Sequence, residues 1–106
     1  MERNIKVANQ IKQLTAEYLG RENNRTSLIT VISCNTSPDL KKATVFITVL
    51  PNSKEHDALD FAKRKRAEIR GYLKKKMNVK VIPFLDIRID EGEKNRQKID
   101  ELLRNG

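Results

Sequence analysis

Within eighteen positions of this 106-residue chain stand nine basic residues, Lys63, Arg64, Lys65, Arg66, Arg70, Lys74, Lys75, Lys76 and Lys80, against one acid, Glu68. Side chains of these types neutralise phosphates and release condensed counterions, which gives an affinity that depends steeply on salt and weakly on sequence. Arginine adds planar, bidentate contacts. Nine of the 22 lysines and arginines lie here, so the net charge of +8 and the pI near 9.8 come largely from one stretch. A charged helix face is ordinarily only a solvated face. The local near-absence of acids favours a polyanion-binding surface, and nucleic acid is the first partner to consider.

Other chemistry is thin. The lone His56 falls at a predicted helix start, where a solvated residue is expected rather than a base or ligand, and the lone Cys34 lies on a separate predicted strand. Cys34 reads as a small buried hydrophobe. Asp86 and Asp90, with Glu91, could be imagined around a metal ion, but a charged outer strand face is the favoured account of them. The four glycines are scattered, and no phosphate-cradling loop exists. No catalytic residue, metal ligand or cofactor site is assigned. Phe46 and Phe84, on predicted strands, are expected in the core of a domain without tryptophan, and no RRM-type stacking motif is present.

These residues must be positioned by elements that the sequence period reveals. Val7, Ile11, Leu14 and Tyr18 recur at helical spacing between Asn4, a candidate N-cap, and Gly20, a candidate terminator. Leu28 to Cys34 and Ala43 to Leu50 are rich in β-branched residues, the second alternating Ala43, Val45, Ile47 and Val49 on one face. Ser37, Pro38 and Asp39 carry turn chemistry, so an antiparallel hairpin is expected. Ser53 can cap a helix with Glu55 and Asp57 in its first turn. Ala58, Ala62, Ile69 and Leu73 share one side of that helix, and Lys63, Arg70 and Lys74 a neighbouring stripe if it is continuous. Gly71 marks a candidate kink. The alternation from Val79 through Val81, Pro83, Leu85, Ile87 and Ile89 predicts a third strand, with Pro83 placing it at an edge or bulge. Residues Glu93 to Arg104 read as a short C-terminal helix, marginal alone.

The order helix, strand, strand, kinked helix, strand, with a three-stranded mixed sheet and helices on one face, is an α+β arrangement with the topology of a type II KH domain. The residues resemble something narrower. Lys6 to Ile11, Ile29-Thr30-Val31, the run Ser37 to Ile47, Ile69-Arg70 with Leu73, and Pro83 followed by Leu85 and Asp90 are similar to the bacterial ribosome-binding factor A family. The resemblance implies a small non-enzymatic factor that docks on the small ribosomal subunit and assists late maturation of its ribosomal RNA. In that family an Ala-x-Gly helix interruption replaces the KH glycine loop, and its position here is Lys65-Arg66-Ala67. Neither Ala-x-Gly nor Gly-x-x-Gly occurs in this chain.

Length and composition suit one compact domain, residues 1–92 as the KH-like RNA-binding body and 93–106 as its short helix or tail. No stretch approaches a membrane span and no apolar run follows the basic start, so a cytoplasmic monomer is expected. Two alternatives remain open: a general KH-type RNA or DNA binder without a ribosomal role, and a small metal-dependent nuclease built on Asp86, Asp90 and Glu91.

Overall fold

A computed structural model describes residues 2–21, 27–93 and 95–96. Helix α1 spans Glu2–Arg21, strands β1 and β2 span Leu28–Thr36 and Lys42–Leu50, a single 3-10 turn covers Asn52–Lys54, helices α2 and α3 span Glu55–Arg64 and Arg66–Lys76, and strand β3 spans Phe84–Ile89. The sheet order is β1-β2-β3, with β1 antiparallel and β3 parallel to the central β2. The expected α+β order and mixed sheet are therefore present.

The stripe that anchors α1 is spaced by four: Val7, Ile11, Thr15 and Leu19 are all buried, one above the other on one face. Thr15 escapes a reading based on apolar residues, and its hydroxyl is the one buried side-chain polar atom without a partner among the described residues. Asn4 lies inside α1 rather than capping it, and Gly20 also lies within the helix. Asn4 instead donates through Nδ2 to the carbonyls of Ser37 and Pro38, at 3.4 and 3.3 Å, tying the helix to the hairpin loop.

Strand β2 buries Ala43, Val45, Ile47 and Val49, as its alternation implies. On β1 the register slips between Val31 and Ser33, a bulge that accommodates Ile32. Ile29 and Val31 lie opposite Val49 and Ile47, whereas after the bulge it is Cys34 that lies opposite Val45. The extra residue thus turns Cys34 toward the core. Burial pushes its thiol pKa up to about 11, so at neutral pH it is an inert thiol.

The hairpin loop is densely stitched. Leu40 N–H donates to the Ser37 carbonyl at 2.9 Å, closing a turn with Pro38 at its second position. The Ser37 hydroxyl and the Lys41 N–H both donate to Asp39 Oδ1, at 2.7 and 3.1 Å. Those two bonds, the hydroxyl's first, hold the Asp39 carboxyl below its ordinary pKa. Leu40 sits at φ 60°, the left-handed region that a leucine rarely occupies, and it packs against the core from there.

Ser53 belongs to the 3-10 turn, and α2 starts without a side-chain cap. The break in the long helix falls at Lys65, not at Gly71. Lys65 (φ −89°, ψ 3°) ends α2 by donating its N–H to the carbonyls of Phe61 and Ala62, both at 3.2 Å, and starts α3 by accepting from Ile69 N–H at 2.8 Å. The two halves serve different partners: α2 buries Ala58 and Ala62 and lies on β2 and β3, while α3 buries Ile69 and Leu73 and lies on α1. A single straight rod cannot follow both. Gly71 is exposed in mid-α3, with nothing within 4 Å of where a Cβ would stand. Gly71→Ala is therefore expected to raise stability by about 1 kcal/mol, a gain of several degrees in Tm; a loss on thermal unfolding would restore Gly71 as a hinge.

β3 begins only after Pro83. Val79 and Val81 are not strand, and Val81 is 75% exposed, whereas Ile82 and Pro83 are buried. Residues 91–93 and 95–96 are helical, and the rest of the expected C-terminal helix lies outside the described residues.

Candidate nucleic-acid interface

The broken helix sorts the nine basic residues into three settings. At the α2–α3 break, Lys63, Arg64 and Arg66 line one shallow hollow together with Asp60. Arg66 Nε donates to the Lys63 carbonyl at 3.0 Å, which folds the arginine back over the break. Along α3 and the connector to β3, Arg70, Lys74 and Lys80 line a second groove with Ala67, Gly71, Val81 and Ile82. Lys80 also shares a third groove with Lys41 from the hairpin loop, walled by Val7, Leu40, Val79 and Val81. Lys41 is a cation outside the clustered stretch that only tertiary structure brings beside it.

Of the remaining three, Lys75 is exposed, and Lys65 and Lys76 lie on the side of α3 that meets α1. Tyr18 donates its hydroxyl to Glu68 Oε2, and Tyr72 donates to Glu17 Oε2 at 2.8 Å. The two rings lie 5.8 Å apart between centroids, with Arg21 at 5.5 Å and Lys76 at 5.8 Å from the Tyr72 centroid. Lys65 Nζ lies 3.5 Å from Glu68 and 5.8 Å from the Phe61 ring centre. The Tyr18 hydrogen bond, then the Lys65 charge, lower the Glu68 pKa. The segment's only acid is thus spent on the α1 seam and leaves the opposite side uncompensated. Lys74, two positions from Tyr72 and so about 200° around the helix, is on that opposite side.

Arg70 departs most from its expected role. Its Nε and one terminal nitrogen donate to the carbonyls of Pro83 and Ile82, at 3.2 and 2.9 Å. It braces the connector that leads into β3 while remaining exposed along part of its length. The break at Lys65 also removes the continuous stripe of Lys63, Arg70 and Lys74. Among the described residues, Lys63, Arg64, Lys74, Lys75 and Lys80 have no acidic partner, and all five are exposed.

Phe46 is half-buried, but Phe84 is 55% exposed, so the expectation of a core residue fails there. The signal was in the strand period: Phe84 is out of phase with the buried Leu85 and Ile87, which puts it on the open face of the sheet. The Arg66 guanidinium lies 5.7 Å from its ring centre.

The residues considered for catalysis do not converge. Asp86 Oδ2 accepts from Arg88 Nε at 2.8 Å. Desolvation pushes the Asp86 pKa upward, but this hydrogen bond together with the Arg88 and Lys42 charges outweighs it and leaves the pKa lowered. Asp90 Oδ1 instead accepts from the backbone N–H of Glu93 at 2.9 Å, capping the helical turn that follows β3. His56 is solvated, 3.3 Å from Asp60 one helical turn along. Among the described residues no cluster of three or more His, Cys, Asp and Glu could hold a metal ion, and no helix is long and apolar enough to cross a membrane.

The family model for ribosome-binding factor A matches residues 3–103. Ribosome-binding factor A of Rhodopseudomonas palustris strain HaA2 is 33% identical over 107 residues, covering 96% of this chain and 79% of the relative. The crystal structure of ribosome-binding factor A from Thermus thermophilus superposes with a TM-score of 0.70 at 22% identity, over 79% of this chain and 92% of that one. A Thermus thermophilus ribosome binding factor A homology model, fitted into a cryo-EM map of its 30S complex, superposes at 0.66 with 21% identity, over 74% of this chain and 86% of that one.

Proposed function

This chain belongs to the ribosome-binding factor A family, and from that premise we propose that it binds the small ribosomal subunit and assists late maturation of its ribosomal RNA. The observation that carries the reading from family to mechanism is the set of five exposed cations, Lys63, Arg64, Lys74, Lys75 and Lys80, without an acidic partner among the described residues. Phosphates supply the missing counter-charge. Arg66 joins them at the break, Arg70 contributes its exposed part, and Lys65 and Lys76 contribute mainly by holding α3 against α1. The relative fitted into a 30S complex supports the small subunit as the partner.

The protein acts by occupancy rather than by bond chemistry. Its body holds an immature subunit until the RNA is correctly arranged, and the carboxylates Asp86 and Asp90 serve the β3 edge. In a strain lacking its own factor, the wild-type chain should clear unprocessed small-subunit RNA, and so should His56→Ala and Asp86→Ala variants. Charge reversal at Lys63, Arg64 and Lys74 should leave the precursor accumulated. An Asp86→Ala protein that is folded and subunit-bound yet fails to clear the precursor would replace occupancy with catalysis.

A further inference from the structure

Phe84 is the first residue of an edge strand, and its position is fixed. Its N–H donates to the Lys41 carbonyl at 2.9 Å, and it lies in register with Lys42 of β2. The residue is nevertheless 55% exposed on the open face of the sheet, in a chain with only five aromatic residues. A half-wet phenylalanine forgoes burial that a core position would provide. What lies beside it is a cation. The Arg66 guanidinium, 5.7 Å from the ring centre, is itself held by the Lys63 carbonyl at 3.0 Å, so the pair is tied to the turn that carries Lys63 and Arg64.

We propose that Phe84 and Arg66 form a stacking site for one unpaired base of single-stranded RNA, with Lys63 and Arg64 taking the adjoining phosphate. The inference rests on the RNA-binding reading above and deepens it by naming the form of RNA that this edge accepts. Charge selects the occupant. An apolar protein side chain seated on Phe84 would gain nothing from the cations of the adjoining hollow, which Arg66 links to the ring, whereas a nucleotide presents a π-face and an anion together. A duplex is unsuited, because its bases are already stacked inside the helix and its deep major groove shuts side chains out. Any base offers a π-face, so the site should be tolerant of sequence.

The test uses the full chain with an eight-nucleotide single-stranded RNA carrying 2-aminopurine at successive positions, and a hairpin duplex as the second ligand. Phe84→Leu keeps the apolar bulk and removes the π-face. It should weaken single-strand binding about tenfold and abolish the position-dependent change in 2-aminopurine emission, while duplex affinity and the salt slope stay unchanged. Phe84→Trp should keep both the affinity and the emission change, which separates stacking from a folding defect. Equal losses for single strand and duplex, or unaltered single-strand binding by Phe84→Leu, would overturn the stacking site. Salt-dependent binding by the parent protein with no emission change at any position would overturn stacking and leave the phosphate reading standing. If the parent bound neither RNA, both would fall.

Discussion

Replacing Lys63, Arg64, Lys74 and Lys80 together by glutamine should lower affinity for small-subunit ribosomal RNA by about two to three orders of magnitude near physiological salt. Each phosphate contact contributes about 0.9 to the slope of log affinity against log salt for a duplex and about 0.7 for a single strand. Loss of four contacts should therefore flatten the slope by about three units. The four residues are chosen because none is committed inside the molecule. They are exposed, lack acidic partners among the described residues, and line the two basic hollows at the α2–α3 break and along α3. Folding should be unaffected, since exposed lysine-to-glutamine changes keep helix propensity close to its original value. The same number of changes placed at Lys65, Lys76 and the α1 residues Lys12 and Arg21 should move the slope much less, because Lys65, Lys76 and Arg21 are engaged along the α1–α3 seam. Titration at several salt concentrations by fluorescence anisotropy reads both quantities. An unchanged slope in the quadruple variant with intact far-UV circular dichroism would remove the phosphate surface from this account.

The second large effect is one of stability. Arg70→Ala should destabilise the domain by about 2 kcal/mol, since two hydrogen bonds from a charged donor are lost and two carbonyls are left to find water. For a domain of this size that corresponds to a fall of about 10 °C in Tm. The bonds run from α3 to the carbonyls of Ile82 and Pro83, beside a buried Ile82 side chain, immediately before β3 begins. Arg70→Lys should recover little of the loss, because an ammonium cannot reproduce two fixed, divergent N–H donors. The salt slope for RNA should change by no more than about one unit, in contrast to the quadruple variant. A normal Tm accompanied by a steep loss of RNA affinity would return Arg70 to the phosphate-binding set.

The contrast between these two experiments marks where the sequence was legible. Strand β2 could be read directly, because Ala43, Val45, Ile47 and Val49 keep one strict period against a single core. The hairpin could be read because Ser37, Pro38 and Asp39 act locally, each within a few residues of its partner. The helix break could not be found from glycine. Gly71 is the conspicuous local signal, but the break at Lys65 arises from α2 and α3 lying on different partners, which is a tertiary cause; only the family resemblance pointed to Lys65-Arg66-Ala67. The sequence period extends β3 too far for a related reason. Val79, Val81 and Pro83 continue the alternation in sequence, yet the carbonyls at 82 and 83 accept from Arg70, and β3 begins only at Phe84. Asn4 has the chemistry of a cap but does not start α1, because its amide is used across the molecule, on the Ser37 and Pro38 carbonyls.

The candidate surface divides in the same way. That a basic segment exists is a matter of composition, and nine residues against one acid announces it. Which of the nine remain available is a matter of partners from distant positions: Glu68 and Tyr72 on the α1 side draw in Lys65 and Lys76, and the connector carbonyls draw in Arg70. Lys41 and Phe84, which flank the basic segment in space, come from the hairpin loop and the sheet edge, and no run of neighbouring residues advertised them.

The proposed docking sets these exposed cations against the RNA of the small ribosomal subunit. Its most direct test is sedimentation of the epitope-tagged chain in cell lysate, with the Lys63, Arg64, Lys74 and Lys80 quadruple glutamine variant run in parallel. The wild-type chain should travel with free small subunits, absent from large subunits and translating ribosomes, and the variant should stay near the top of the gradient. Wild-type protein at the top of the gradient at low salt, or a variant that still travels with small subunits, would rule out docking through these cations.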